Sequence, residues 1–237
     1  YDAQFLTTGD LNNDGARDLI VGSNRRNFVA TLTNNSHPGT FNFDETIVPD
    51  PTRGEWYIRY VSRDLNQDGW KDIISHSPYL TGNVAIMENK RSSSGIGFAT
   101  PFVALGQYEA VIQTGDINGD GQVDLLAGLN NRRFIFLENK AVASEHLSNT
   151  SFQKFAEYGM ALANGGSGTV EPKLIINDLN GDGRPEVINI YNYSFGPHDG
   201  YQMEIWQNSA DKTSKNFIGE QIGKYKIAAE LGAGGMG

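Results

Sequence analysis

The chain has 237 residues and a formal net charge of -9, with 28 Asp+Glu against 19 Lys+Arg. So acidic a chain is a poor match for nucleic acid, which is held by Lys and Arg neutralising phosphates. Cysteine is absent, which excludes disulfide scaffolds, Cys-ligated zinc and thiol catalysis, and no apolar run approaches the roughly 20 residues of a membrane-spanning helix.

From the N-terminus, a short apolar run at residues 5–8 leads into a nine-residue segment carrying Asp10, Asn12, Asp14, Gly15 and Asp18. An apolar run at 19–22, a third at 28–32 ending in Asn34 and Asn35, and an aromatic-bearing run at 41–43 follow. The same order returns with runs at 57–61, 73–76 and 84–87 around Asp64, Asn66, Asp68, Gly69 and Asp72, with Phe98 in the fourth position. It returns again with 110–114, 125–128, 134–137 and 152–155 around Asp116, Asn118, Asp120, Gly121 and Asp124. A last copy has 173–176, 187–190 and 203–206 around Asp178, Asn180, Asp182, Gly183 and Glu186, with Phe217 as its fourth-run aromatic. The motif starts are 54, 52 and 62 residues apart.

The runs are short, rich in Ile, Val, Phe and Tyr, and bounded by Gly, Asn, Asp and Ser, which is a strand pattern. No amphipathic helix is expected, and residues 140–148 read as a polar loop. The chain is therefore expected to be all-β, in four units near 1–52, 53–106, 107–166 and 167–228 with a glycine-rich tail at 229–237. The stretch before that tail reads as the outer strand of the fourth unit. A unit of four antiparallel strands exposes two apolar faces and cannot bury them alone. Radial stacking as β-propeller blades solves this, whereas a solenoid would carry fewer strands per unit. Four repeats are present, and the same pattern suits a larger propeller of which the chain is a part.

The loop segments carry the chemistry. Oxygen-bearing side chains at positions 1, 3, 5 and 9, with glycine at position 6 for the sharp turn, match a calcium loop. The expected ligands are Asp10, Asn12, Asp14 and Asp18; Asp64, Asn66, Asp68 and Asp72; Asp116, Asn118, Asp120 and Asp124; and Asp178, Asn180, Asp182 and Glu186. Position 7 would add a backbone carbonyl, from Ala16, Trp70, Gln122 and Arg184, which explains its free identity. Hard oxygens suit Ca²⁺ and offer nothing to soft metals. Asp, Asn and Gly also build plain turns, but four copies with the last acid kept outweigh that reading. About four Ca²⁺ ions would bring the charge from -9 to about -1. An EF-hand would need a Glu at position 12, where Val21, Ser75, Ala127 and Asn189 stand. Dockerin loops come in pairs at about half this spacing, each followed by a helix.

Residues 9–22 resemble the FG-GAP/VCBS repeat, and the resemblance extends over nearly the whole chain. It implies a propeller with a calcium loop between the first and second strands of each blade, and a secreted or cell-surface protein. The departures are Arg63 and Asn177 in place of the glycine before the motif, and Glu186 as the last acid.

No catalytic constellation stands out, and the four histidines read as surface residues. Aromatics including Trp56, Tyr57, Tyr60, Trp70, Tyr108, Tyr191, Tyr193 and Trp206 concentrate near loops and edges. Of these, Trp56, Tyr57, Trp70, Tyr108, Tyr191 and Tyr193 are the candidates for stacking on a sugar. Packing between blades is the competing use. The expected function is binding or adhesion to carbohydrate or a cell-surface protein. The alternatives are a non-catalytic scaffold domain of a larger secreted toxin or receptor-like protein, and part of a polysaccharide lyase.

Overall fold

The structure, a computed structural model, describes residues 3–23, 28–50, 58–77, 83–92, 95–106, 110–129, 133–159, 173–195, 198–208 and 219–227. Among these residues all regular structure is β, and no helix is long and apolar enough to cross a membrane. The first sheet holds β1 (Ala3–Gly9), β2 (Asp18–Ser23), β3 (Phe28–Asn34) and β4 (Phe43–Pro49). The second holds β5 (Arg59–Arg63), β6 (Asp72–His76), β7 (Val84–Met87) and β8 (Phe102–Leu105). The third holds β9 (Ala110–Gly115), β10 (Asp124–Leu129), β11 (Arg133–Asn139) and β12 (Phe152–Gly159). The fourth holds β13 (Lys173–Asn177), β14 (Glu186–Phe195), β15 (His198–Asn208) and β16 (Gly219–Ile227). In each sheet the strands follow chain order.

The expected strands are present, and residues 140–148 form a loop of turns and bends. Of the fourth-run aromatics, Phe43 opens β4 and Phe152 and Phe155 lie on β12 as expected, while two others fall outside the fourth strands. Phe41 is exposed outside the sheet, and Phe98 makes only an isolated bridge to Asn89, with β8 starting four residues later. Phe217 and residues 228–237 lie outside the described residues.

The chain divides into two compact units, one of residues 1–110 and 138–153 and the other of 111–137 and 154–237. In the first, Phe5, Leu11, Ile20, Val29 and Val48 pack against Ile58, Tyr60, Ile73, Met87, Ile96 and Phe98. In the second, Ile117, Leu126, Phe134 and Phe136 pack against Leu174, Val187 and Trp206, with the Trp206 ring edge-on to Phe134 at 5.2 Å between centroids. The rule of stacking is the same in both. The residue just after the position-9 acid (Ile73, Val187) and the next but one (Ile20, Leu126) face opposite sides of their sheets, because strand side chains alternate. One sheet offers the second kind to the first kind of its successor. A strand buried on both faces must then be apolar without alternation, as β10 is.

The other face of the first sheet differs. Leu6, Val21, Ala30 and Ile47 form one row across it. Leu6 is 62 % exposed, whereas Tyr60, the residue at the same place in the second unit, is 2 % exposed. Ala3, Val21, Gly22, Phe28, Ala30, Leu32 and Glu45 line an apolar hollow of about 120 Å³ there.

Tyr60 is the polar anchor of the first unit. Its hydroxyl donates to Asp50 Oδ2 at 2.8 Å, and Ser75 Oγ donates to Asp50 Oδ1 at 2.9 Å. Burial, then the Asp50 charge and the hydrogen bond to it, push the Tyr60 phenol well above its usual value. The unfolded chain gives up this proton near pH 10 while the folded chain keeps it, so stability falls as pH rises above about 10. Urea midpoints between pH 8 and 11 should fall, and Tyr60→Phe should flatten the alkaline part of that slope.

Candidate metal-binding loops

Each loop spans a first and second strand of one sheet, and the ladder closes it. Gly9 pairs with Asp18, Arg63 with Asp72 and Asn177 with Glu186, so position 9 is the first residue of the second strand. The two family departures before the motif, Arg63 and Asn177, therefore sit beside the last acid without changing the register.

Within the loops the same bonds recur. The position-1 carboxylate accepts from the amide of the glycine at position 6, with Asp10 to Gly15 at 3.0 Å and Asp64 to Gly69, Asp116 to Gly121 and Asp178 to Gly183 each at 2.9 Å. The position-5 carboxylate accepts from the position-7 amide, with Asp14 to Ala16 and Asp68 to Trp70 at 2.7 Å and Asp120 to Gln122 and Asp182 to Arg184 at 2.9 Å. The position-6 glycines have φ between 81° and 87°, in the left-handed region where a Cβ is penalised. Position 4 is left-handed too, at Asn13, Gln67, Gly119 and Gly181. The ligand spacing does not predict that second turn, although Asn and Gly at position 4 are a signal for it.

The last acid has a role the spacing does not show. Asp18 Oδ2 accepts from the Leu11 amide at 2.7 Å and Oδ1 from the Asn34 amide at 2.9 Å. Asp72 repeats this with Leu65 at 3.0 Å and Asn89 at 2.9 Å. Asp124 takes Ile117 at 3.0 Å, and Glu186 reaches Leu179 at 2.8 Å, its longer side chain making up the distance. Position 9 thus ties the loop's entry to the sheet, and Leu11, Leu65 and Ile117 at position 2 are buried plugs beneath it. The asparagines at the end of β11 and two residues beyond β7 continue the pattern. Asn89 Nδ2 donates to Leu11 O at 2.7 Å and Asn139 Nδ2 to Leu65 O at 2.6 Å, each gripping the loop of the preceding unit.

The donor set is uniformly hard oxygen. Among the described residues no three Asp, Glu, His or Cys side chains gather on one point, because the loop acids spend oxygens on backbone amides. Yet Asp10 Oδ1 and Asn66 Oδ1 are buried without a hydrogen-bond partner, at positions 1 and 3 of their loops. Burial raises the pKa of Asp18 against the lowering effect of the Asn34 and Leu11 amides, and the charges of Asp14 and Asp10 raise it further. Asp72 is pushed up to about 7 by burial, with the Asn89 and Leu65 amides opposing and Asp68 and Glu88 adding. A nearby cation would relieve both the orphaned oxygens and the crowded charge, so the residues fit Ca²⁺. Asp178 goes the other way, held below the usual range first by the Gly183 amide, with the Gly181, Asp182 and Asn180 amides adding.

The candidate aromatics separate. Trp70 is half-buried at position 7 of the second loop. Tyr60 and Trp206 are buried in packing between sheets rather than exposed near edges. Trp56, Tyr57 and Tyr108 lie outside the described residues, as do the side chains of Tyr191 and Tyr193 on β14. The histidines do not all lie at the surface. His76 is buried on β6, while His37 and His146 are exposed. The buried position follows from β6 being covered on both faces.

Four-stranded meanders with an Asp/Asn/Gly loop between the first and second strands define a repeat-built, all-β protein. The chain belongs to the FG-GAP-like repeat family, whose profile matches residues 10–75 and 64–127, each match running from one loop into or past the next. No curated protein matches the chain.

Proposed function

We propose that the chain is a calcium-loaded, extracellular binding module whose loops hold Ca²⁺ to fix the blades rather than to react. The observation that carries this is the hard-oxygen loop built four times, with buried, unpartnered oxygens at Asp10 and Asn66. Loops of this kind reach the affinities that millimolar extracellular calcium saturates, which supports a secreted or cell-surface location. The partner is a carbohydrate or a cell-surface protein, with Trp70, at position 7 of the second loop, the described stacking candidate among the aromatics singled out from the sequence. Repeated units offer repeated weak contacts, which add up as avidity.

A second reading is a non-catalytic scaffold of a longer secreted protein. It is favoured by Tyr60 and Trp206, which serve packing.

Thermal unfolding with calcium and with EDTA tests the core of the proposal. Calcium should raise the melting temperature by several degrees through mass action on the folded state. Identical curves would overturn it. A glycan array on the calcium-loaded protein then separates the readings, since reproducible hits lost in Trp70→Ala support binding and an empty array supports the scaffold.

A further inference from the structure

We propose that Arg91 is a built-in counter-cation of the second loop, which a metal ion must displace, so that this loop is the weakest of the metal sites. The proposal rests on the calcium reading above and concerns how one of its sites is regulated.

Arg91 Nε lies 2.7 Å from Asp68 Oδ2, the position-5 carboxylate, and Arg91 Nη2 lies 3.5 Å from Glu88 Oε1. The Asp68 side chain is 2 % exposed and that of Glu88 is 4 % exposed, while Arg91 is 30 % exposed, so the carboxylates of both pairs are buried and the guanidinium keeps a partial path to water. The arginine is aimed there by its backbone. Its φ is 59°, an uncommon value for a non-glycine residue, and its amide donates to Asn89 Oδ1 at 3.0 Å. The same asparagine turn occurs in two sister units, where Ser36 and Ala141 take the place of Arg91. Their short, uncharged side chains cannot neutralise a loop carboxylate. The fourth unit has Ala210 at this place in the sequence.

The second loop is also held differently around its position-3 residue. Asn66 Nδ2 donates to Glu145 O at 2.8 Å and lies 3.4 Å from Glu88 Oε1, and the Ser144 amide donates to Asn66 O at 2.7 Å. His146 Nδ1 lies 3.0 Å from the same Glu88 oxygen. Asn66 is 1 % exposed, and its Oδ1 makes no hydrogen bond. That buried oxygen, independent of the acids, points to a missing electropositive partner. The loop therefore keeps a cation's donor set while a guanidinium holds one of its carboxylates. A divalent ion entering must separate Arg91 from Asp68 or accept a positive charge close by, and either lowers affinity.

Position 7 of this loop is Trp70, whereas the other loops have Ala16, Gln122 and Arg184 there, so indole-sensitised terbium luminescence reads the second loop selectively. Terbium is the probe, titrated into the intact chain with excitation of tryptophan, and Trp70→Phe identifies the part of the signal due to this loop. In Arg91→Gln the Trp70-dependent emission should appear at a terbium concentration at least about tenfold lower than in the wild type, equivalent to about 1.4 kcal/mol. Arg91→Lys, which keeps the charge, should stay within about threefold of the wild type. Equal midpoints for Arg91→Gln and the wild type, with calcium still raising the wild-type melting temperature, would overturn this proposal alone. Absence of loop emission in every form together with no calcium shift would overturn the calcium reading beneath it.

Discussion

Asp18→Ala should cost about 3 kcal/mol of folding stability in EDTA, where calcium plays no part, while Asp14→Ala should cost well under about 1 kcal/mol. Asp18 is fully buried, and both its oxygens accept backbone amides, from Leu11 and Asn34. Alanine leaves one buried N–H group and one part-buried N–H group without acceptors, at a cost of about 1–3 kcal/mol each with the Asn34 amide at the low end, partly offset by relief of a carboxylate whose ionisation burial disfavours. The Asp14 bond to the Ala16 amide is exposed, so water replaces it. For a chain of this size, about 3 kcal/mol lowers the melting temperature by roughly 6–12 °C. Urea unfolding of both variants in EDTA decides the matter. Equal, small losses would mean that the last acid is only a metal ligand and not a structural tie.

Gly22→Ala should destabilise by about 3 kcal/mol, although it adds a single methyl group. A Cβ at Gly22 would lie 2.2 Å from Tyr60 Cε2, with the ring's Cδ2 at 3.0 Å and Cζ at 3.2 Å. The ring has nowhere to go. Its hydroxyl is fixed to Asp50, and Phe5 stands against it at 5.8 Å between centroids. The clash falls between the first and second sheets, so it opens their junction rather than either ladder. A cycle with Tyr60→Leu, which places here the residue type found at Leu6, isolates the cause. The double variant should recover at least about 1 kcal/mol of the sum of the single losses. Strict additivity would show that the methyl harms something other than its fit to the ring.

Much of the fold is legible in the sequence because the information is periodic. Runs of β-branched and aromatic residues mark the strands, and oxygen side chains at alternate loop positions give away the turn chemistry. What escapes is information carried by distant partners. Asp18 looks like a fourth ligand, and its service to the Asn34 amide depends on a residue 16 positions later. Asn89 and Asn139 read as polar turn residues, yet their amides reach loops 78 and 74 residues earlier. Tyr60 and Trp206 cannot be assigned to rim or interior, because alternation along a strand says which residues share a face and not whether another sheet covers that face. His76 reads as a surface residue for the same reason. Arg91 carries no pattern at all, since its sister positions hold Ser36 and Ala141 and only the turn of the backbone brings it to Asp68.

The backbone of Leu11 is held from two directions, its amide by Asp18 of its own repeat and its carbonyl by Asn89 of the next. Leu65 is held in the same way by Asp72 and Asn139. A repeat array is described by the intrinsic stability of each unit and by the coupling between neighbours. Here the backbone of one residue contributes to both quantities. Any ligand that stiffens the loop therefore strengthens the next junction as well as its own unit, and by reciprocity a formed junction raises that loop's affinity for the ligand by the same factor. The coupling runs equally in both directions between each of these two loops and the asparagine of the following repeat that grips it.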